Sequence, residues 1–260
     1  MYFFISFLSV LDICYTSTVV PQTLVNLMNT RHSISFPRCI AQMFCIVAFG
    51  AAQIILITVM AYDRYVAINN PLRYKAVMSW AICKMFLAIT LIVSCAMALL
   101  MVLSVFTLPF CDELEIDHFF CEVGQVLRLT CPSTQVHELV EIVIFAIVLG
   151  FFSTNFLLVI TSYVYIISAI LKISTSVGRH KAFSTCSSHI NVVTIEYACL
   201  GFLYLRPKTA YSIDKDRVFV VIFTFGTPIL NPLIYSVRNA AVKTGFKKLI
   251  ESKINYHMTS

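Results

Sequence analysis

The chain has 260 residues, 59% of them hydrophobic and only 12% charged, about half the charge of an average soluble domain, so it is an integral membrane protein. Its formal charge of +6 is scattered through polar connections rather than gathered in one block, which argues against nucleic-acid binding and for membrane topology. Few glycines and prolines amid long Leu, Ile, Val and Phe runs favour helices over a β-barrel, whose strands alternate over short stretches.

The first stretch, MYFFISFLSVLDICYTSTVV, is apolar from its second residue and lacks the basic start and small-residue cleavage site of a signal peptide. At about 20 residues it is long enough to cross a bilayer. Asp12 lies in its middle, and an ionisable group at that depth should face the protein interior. Further apolar segments at 40–67, 80–106, 138–171, 182–205 and 217–237 join 2–24 to make about six predicted spans. An even number puts both ends on one side of the membrane. About 12 of the 19 Lys and Arg residues fall on that side and about 7 on the other, so both termini are predicted to be cytoplasmic.

The second span ends in MAYDRYVAI, residues 60–68. An adjacent acid and base, Asp63 and Arg64, are tolerated there because each can satisfy the other and reach headgroups or water. The fifth span opens with GRHKAFSTCSSH, too polar to face lipid, and is predicted to project beyond the bilayer. After Pro232 and Tyr235 comes VRNAAVKTGFKKLI, with Val242, Phe246 and Ile250 four apart and lysines between them. That pattern predicts a short amphipathic helix on the inner leaflet. Residues 1–251 read as a single transmembrane domain and 252–260 as a disordered tail.

The longest connection, 109–137, is acidic and holds Cys111, Cys121 and Cys131. With Cys39 these are four cysteines in an oxidising compartment, enough for two disulfides in three possible connectivities. His118 and Cys121, three apart, offer a competing metal reading, but no second paired ligand motif accompanies them. Cys45, Cys83, Cys95 and Cys199 lie in apolar runs and are expected to be packing residues. No glycine-rich phosphate loop or HExxH is present, and Ser187, Ser188 and His189 merely adjoin in sequence, so an enzyme is not expected. A six-helix transporter with Asp12 and Glu196 as ion sites would show symmetry between its halves, and none is visible.

Several segments resemble the olfactory receptors, a family of rhodopsin-like, seven-helix, G-protein-coupled receptors. They are MYFFISFLSVLDICYTSTVVP at the start, MAYDRYVAINNPLRY at 60–74, SYVYIISAIL at 162–171, KAFSTCSSH at 181–189 and PILNPLIYSVRN at 228–239. They stand in the family's order and cover essentially the whole chain. The implied fold is an all-α membrane protein, a rhodopsin-like bundle. Family members carry a glycosylated outer tail and a further helix before the MYFF segment, so about six of seven transmembrane helices are expected here, plus the amphipathic one. Either Met1 is an internal methionine or the chain is a truncated form, and a truncated remnant would not signal.

The resemblance implies roles. Arg64, restrained by Asp63 and flanked by Tyr65, would engage a G protein when the bundle opens. Tyr163 and Tyr235 would swing inward, and Asn231 and Pro232 would let the last helix rearrange, since proline deletes a backbone hydrogen bond. Lys181 and His189 would lie where receptor meets transducer. The implied disulfides are Cys39–Cys121 and Cys111–Cys131, forming a lid over an outward-facing cavity. Ile46, Val47 and Gly50 share a helical face one turn above Gln53. With Val123, Phe151, Glu196, Tyr197, Leu200 and Tyr204 they are the expected ligand pocket. Such a pocket suits a small, mostly hydrophobic volatile odorant. The implied partners are that odorant, a stimulatory heterotrimeric G protein signalling through cyclic AMP, and the plasma-membrane bilayer, with no cofactor, metal or nucleic acid. Three residues depart from the family pattern. Gln53 replaces a glutamate that in the family faces the Asp12 position and can hold a cation with it. Glu196 stands where an aromatic is usual, and Asn69 where a cysteine is.

Overall fold

In the computed structural model, residues 2–28, 34–111, 120–131, 135–204, 224–231 and 234 are described. They form an all-α protein of seven named helices: α1 (Tyr2–Met28), α2 (Phe36–Asn69), α3 (Tyr74–Val77), α4 (Trp80–Phe106), α5 (Val123–Arg128), α6 (Gln135–Leu171) and α7 (Ser176–Tyr204). Residues 224–231 are helical as well. The chain divides into two compact units, Met1–Ile173 with α1 to α6 and Ser174–Ser260 with α7.

Among the described residues, α1, α2, α4 and α6 are long and apolar enough to cross a membrane. They match the first four predicted spans: α4 coincides with 80–106, and the other three are each extended by a few residues. α7 matches the fifth, and it begins ahead of the polar GRHKAFSTCSSH segment. Of the sixth predicted span only 224–231 lies among the described helical residues together with 234; the amphipathic segment and the tail at 252–260 lie outside the described residues. At about 1.5 Å per residue, α6 with its 37 residues is about 55 Å long, well beyond a hydrocarbon core of about 30 Å.

α2 is the hub of the first unit and packs against α1, α4 and α6. In its most apolar window 56% of residues are buried, against 28% in α1, 28% in α4 and 17% in α6. The outer helices instead expose large apolar side chains such as Ile92, Leu99, Ile142 and Leu157, as lipid-facing surfaces require. Hydroxyls within the spans bond back to their own helix: Ser6 to the Tyr2 carbonyl, Thr16 to Asp12, Thr23 to Val19 and Thr90 to Phe86. This satisfies polar groups that would otherwise lack water. Pro37 stands in the first turn of α2, where its missing N–H has no partner to lose. At the far end Pro71 disfavours helical geometry at Asn70, and α2 stops there with Asn70 at φ −132° and ψ 60°.

Two short helices occupy predicted connections. α3 follows a tight turn in which the Arg73 amide donates to the Asn70 carbonyl. α5 lies in the acidic connection, whose base is clasped by a single antiparallel bridge between Phe110 and Thr130. Free cysteines divide by depth. Cys83 is buried, and Cys45 and Cys199 are partly buried, but Cys95 is exposed. Cys95 therefore faces the lipid-exposed side of α4 instead of packing inside.

Candidate functional site

The long α2 carries a distinct chemical arrangement at each end. At its disulfide end, Cys39 is bonded to Cys121 and Cys111 to Cys131. The Cys121 sulfur is thus engaged and closed to the metal reading, and His118 lies outside the described residues. Among the described residues no cluster of His, Cys, Asp or Glu is arranged to hold a metal. The two disulfides hold residues 120–131 over a core of Cys39, Met43, Met101, Val105, Leu108, Val126 and Ile144.

Val47 of α2 and Val123 of α5 both pack against this core, so two of the expected pocket residues share one cluster although 76 positions apart in sequence. Ile46, Gly50 and Phe151 are each partly buried. A Cβ placed on Gly50 would meet no atom within 4 Å, so open space borders this helical face. In the second unit, Glu196 is buried, and Tyr197 and Leu200 are partly buried. The side chain of Tyr204 lies outside the described residues.

Midway along α2, Gln53 donates from Nε2 to Oδ1 of Asp12 at 2.8 Å. Both side chains are buried, so the Asp12 carboxyl meets the amide of Gln53, the residue that departs from the family pattern. One turn further, the Thr58 hydroxyl donates to Oδ1 of Asn155 on α6 at 2.9 Å, and Nδ2 of Asn155 donates to the Phe151 carbonyl at 2.9 Å. Polar links of this kind between spans are worth about 0.6 kcal/mol on average. They fix helix register more than they add stability.

At the other end of α2, Asp63 and Arg64 are both buried, 2% and 9% exposed. The Tyr74 hydroxyl of α3 donates to Oδ1 of Asp63 at 2.9 Å. Burial first, and then the Asp63 hydrogen bond, pushes the Tyr74 hydroxyl up to about 12. It stays protonated and donating across the whole physiological range. The Tyr65 ring lies 5.8 Å from that of Tyr165 on α6, and the Tyr62 ring lies 6.1 Å from Phe86 on α4. Aromatic contacts thereby join α2 to both neighbours beside the charged pair. Tyr163 is buried on α6. In the second unit His189 and Asn231 are buried. The side chain of Lys181, and all of Pro232 and Tyr235, lie outside the described residues.

A family model described as "Olfactory receptor" matches residues 1–253. The chain belongs to the olfactory receptor family. It is 45% identical to olfactory receptor 10V1 of Homo sapiens, over 96% of this chain and 80% of that protein. It is 45% identical to olfactory receptor 8U9 of Mus musculus, over 97% of this chain and 80% of that protein. It is also 44% identical to olfactory receptor 1L3 of Homo sapiens, over 100% of this chain and 78% of that protein. An olfactory receptor is a multi-pass membrane receptor rather than an enzyme, in keeping with the long apolar helices and paired cysteines.

Three residues that matter to this geometry were not singled out from the sequence. Tyr74 lies in the quoted 60–74 segment, but its return to Asp63 depends on the turn at 70–73. Asn155 is one polar residue in an apolar run, a signal that could have found it. Gln42 gave no comparable signal, being a single amide near a span's end.

Proposed function

We propose that this chain is an odorant receptor that binds a small, mostly hydrophobic volatile molecule at the disulfide end of the bundle and activates a stimulatory heterotrimeric G protein. The observation that carries the reading is α2 itself. One uninterrupted helix has open space at Gly50 beneath the disulfide-held segment, and a buried Asp63–Arg64 pair engaged by Tyr74 14 residues further on. At about 1.5 Å per residue those points are about 21 Å apart, a span over which a tilt of one rigid helix connects two sites.

In this reading Ile46, Val47, Gly50, Val123, Phe151, Tyr197, Leu200 and Tyr204 line the ligand site, and Glu196 lends it polarity. Asp12, Asp63, Arg64, Tyr65, Tyr163, Lys181, His189, Asn231, Pro232 and Tyr235 form the switch and the G-protein surface. A ligand acts only through its differential affinity for the closed and open bundles, and the G protein performs the nucleotide exchange. The protein lies in the plasma membrane as one receptor domain over residues 1–251, with both termini and the 252–260 tail on the cytoplasmic side. Gln53 gives Asp12 a neutral amide, which weakens any cation site there by removing one charge.

The test is cyclic AMP output with surface staining in cells exposed to an odorant mixture. The chain is compared with its Arg64→Ala variant and with the same chain extended by a family-type first helix. The expected result is a response from the chain that Arg64→Ala abolishes at equal surface level. A response only from the extended form assigns signalling to the longer protein, and a response that survives Arg64→Ala overturns the switch role.

A further inference from the structure

Gln42 grips two other parts of the chain at once, and the receptor reading does not use it. It is buried in α2, three residues inside the Cys39 disulfide. Its Nε2 donates to the Thr18 carbonyl of α1 at 3.1 Å, and its Oε1 accepts the Cys121 amide N–H at 2.9 Å.

The two partners lie in different elements. The Cys121 amide is buried in the non-helical stretch before α5, where no helical ladder offers an acceptor, and a buried N–H must be paired. Thr18 stands in the turn preceding Pro21, the proline inside α1. Proline supplies no N–H, so the Ser17 carbonyl four residues before it loses its helical donor, in the same turn whose Thr18 carbonyl accepts from Gln42. The amide of Gln42 is short and both its ends are occupied, so a displacement of either partner pulls on the other.

We propose that Gln42 is a positioning residue that couples the disulfide-held segment 120–131 to the turn of α1 that precedes Pro21. A shift of that segment alters the turn, and a change in the turn alters the segment. Six residues before Thr18 on the same helix is Asp12, the partner of Gln53, so the coupling leads from the disulfide end to the middle of the bundle. The use of this coupling in signalling rests on the receptor reading above; the coupling itself does not.

Hydrogen exchange on the purified full chain in lipid nanodiscs tests it, read in peptides covering 120–131 and 14–24. Pro21→Ala restores an N–H for the Ser17 carbonyl and so tightens the turn that contains Thr18. It is expected to change exchange at 120–131 at least threefold while Gln42 is present, and to leave it unchanged in the Gln42→Met background. Gln42→Met alone, matched in volume, is expected to speed exchange at 120–131 about tenfold. An equal effect of Pro21→Ala in both backgrounds overturns the proposal. So does an unchanged 120–131 segment in Pro21→Ala alone, a measurement that needs no Gln42 variant to fold. Cyclic AMP measured on the same variants bears on the receptor reading only: silence throughout, with the exchange coupling intact, supports the strut and counts against signalling.

Discussion

Tyr74 illustrates what a single hydroxyl can do at a membrane boundary. Its donation to Asp63 holds a carboxylate that neighbours Arg64, and hydrogen bonds to charged groups are worth about 1.5–3 kcal/mol. Tyr74→Phe removes only that hydroxyl. Under the receptor reading, basal cyclic AMP is expected to rise severalfold at equal surface level, because Arg64 is held less firmly. Unchanged basal output would remove Tyr74 from the switch. The pH sense follows from the raised hydroxyl. A tyrosine whose folded value lies above its unfolded value near 10 stabilises the fold fully below pH 10, and that contribution is lost as pH rises through about 12. The difference between wild type and Tyr74→Phe should therefore be constant from pH 6 to 9.

Among the elements, the 120–131 segment carries a pH dependence of the same sign. Glu122 precedes α5 and is partly buried. Burial pushes its carboxyl up, and the nearby Arg128 pulls partly the other way. A carboxyl raised in the folded state favours its protonated form there. Its stabilising contribution is complete below the unfolded value and fades as pH rises through the folded one. Hydrogen exchange at 120–131, corrected for its intrinsic rate, is expected to be slower at pH 5 than at pH 7.5, and Glu122→Gln should flatten the difference. The two disulfides dominate the same element. Closing a loop of 20 residues, the separation of Cys111 and Cys131, is worth about 3 kcal/mol in the chain-entropy account, and Cys39–Cys121 closes one of 82.

At the scale of the whole molecule, the asymmetry of basic residues implies an orientation. Epitope tags at the two termini are expected to stain only in permeabilised cells, whereas a tag in the acidic 112–119 segment should stain in intact ones. Staining of either terminus in intact cells would reverse the assignment of Arg64 to the G-protein side. The same bundle view explains why α2 is central. Among the described helices of the first unit it packs against α1, α4 and α6 and has the largest buried share of its apolar window, so under the receptor reading it is the element through which a change at one end reaches the other.

The apolar runs, the Asp63–Arg64 boundary and the ordered family segments were legible from residues alone, because span length and charge placement are dictated by the bilayer whatever the fold. Membership of the family followed from those segments, and with it the expectation that position 53 meets Asp12. Which partners meet across helices was not legible. Tyr74 reaches Asp63 only because Pro71 stops α2 and a turn folds the chain back, and Gln42 joins Thr18 to Cys121 across sequence separations of 24 and 79 residues. Periodicity places a polar side chain on a face of its own helix. What that face meets is decided by how neighbouring helices pack, and in this protein only the tertiary structure supplied it.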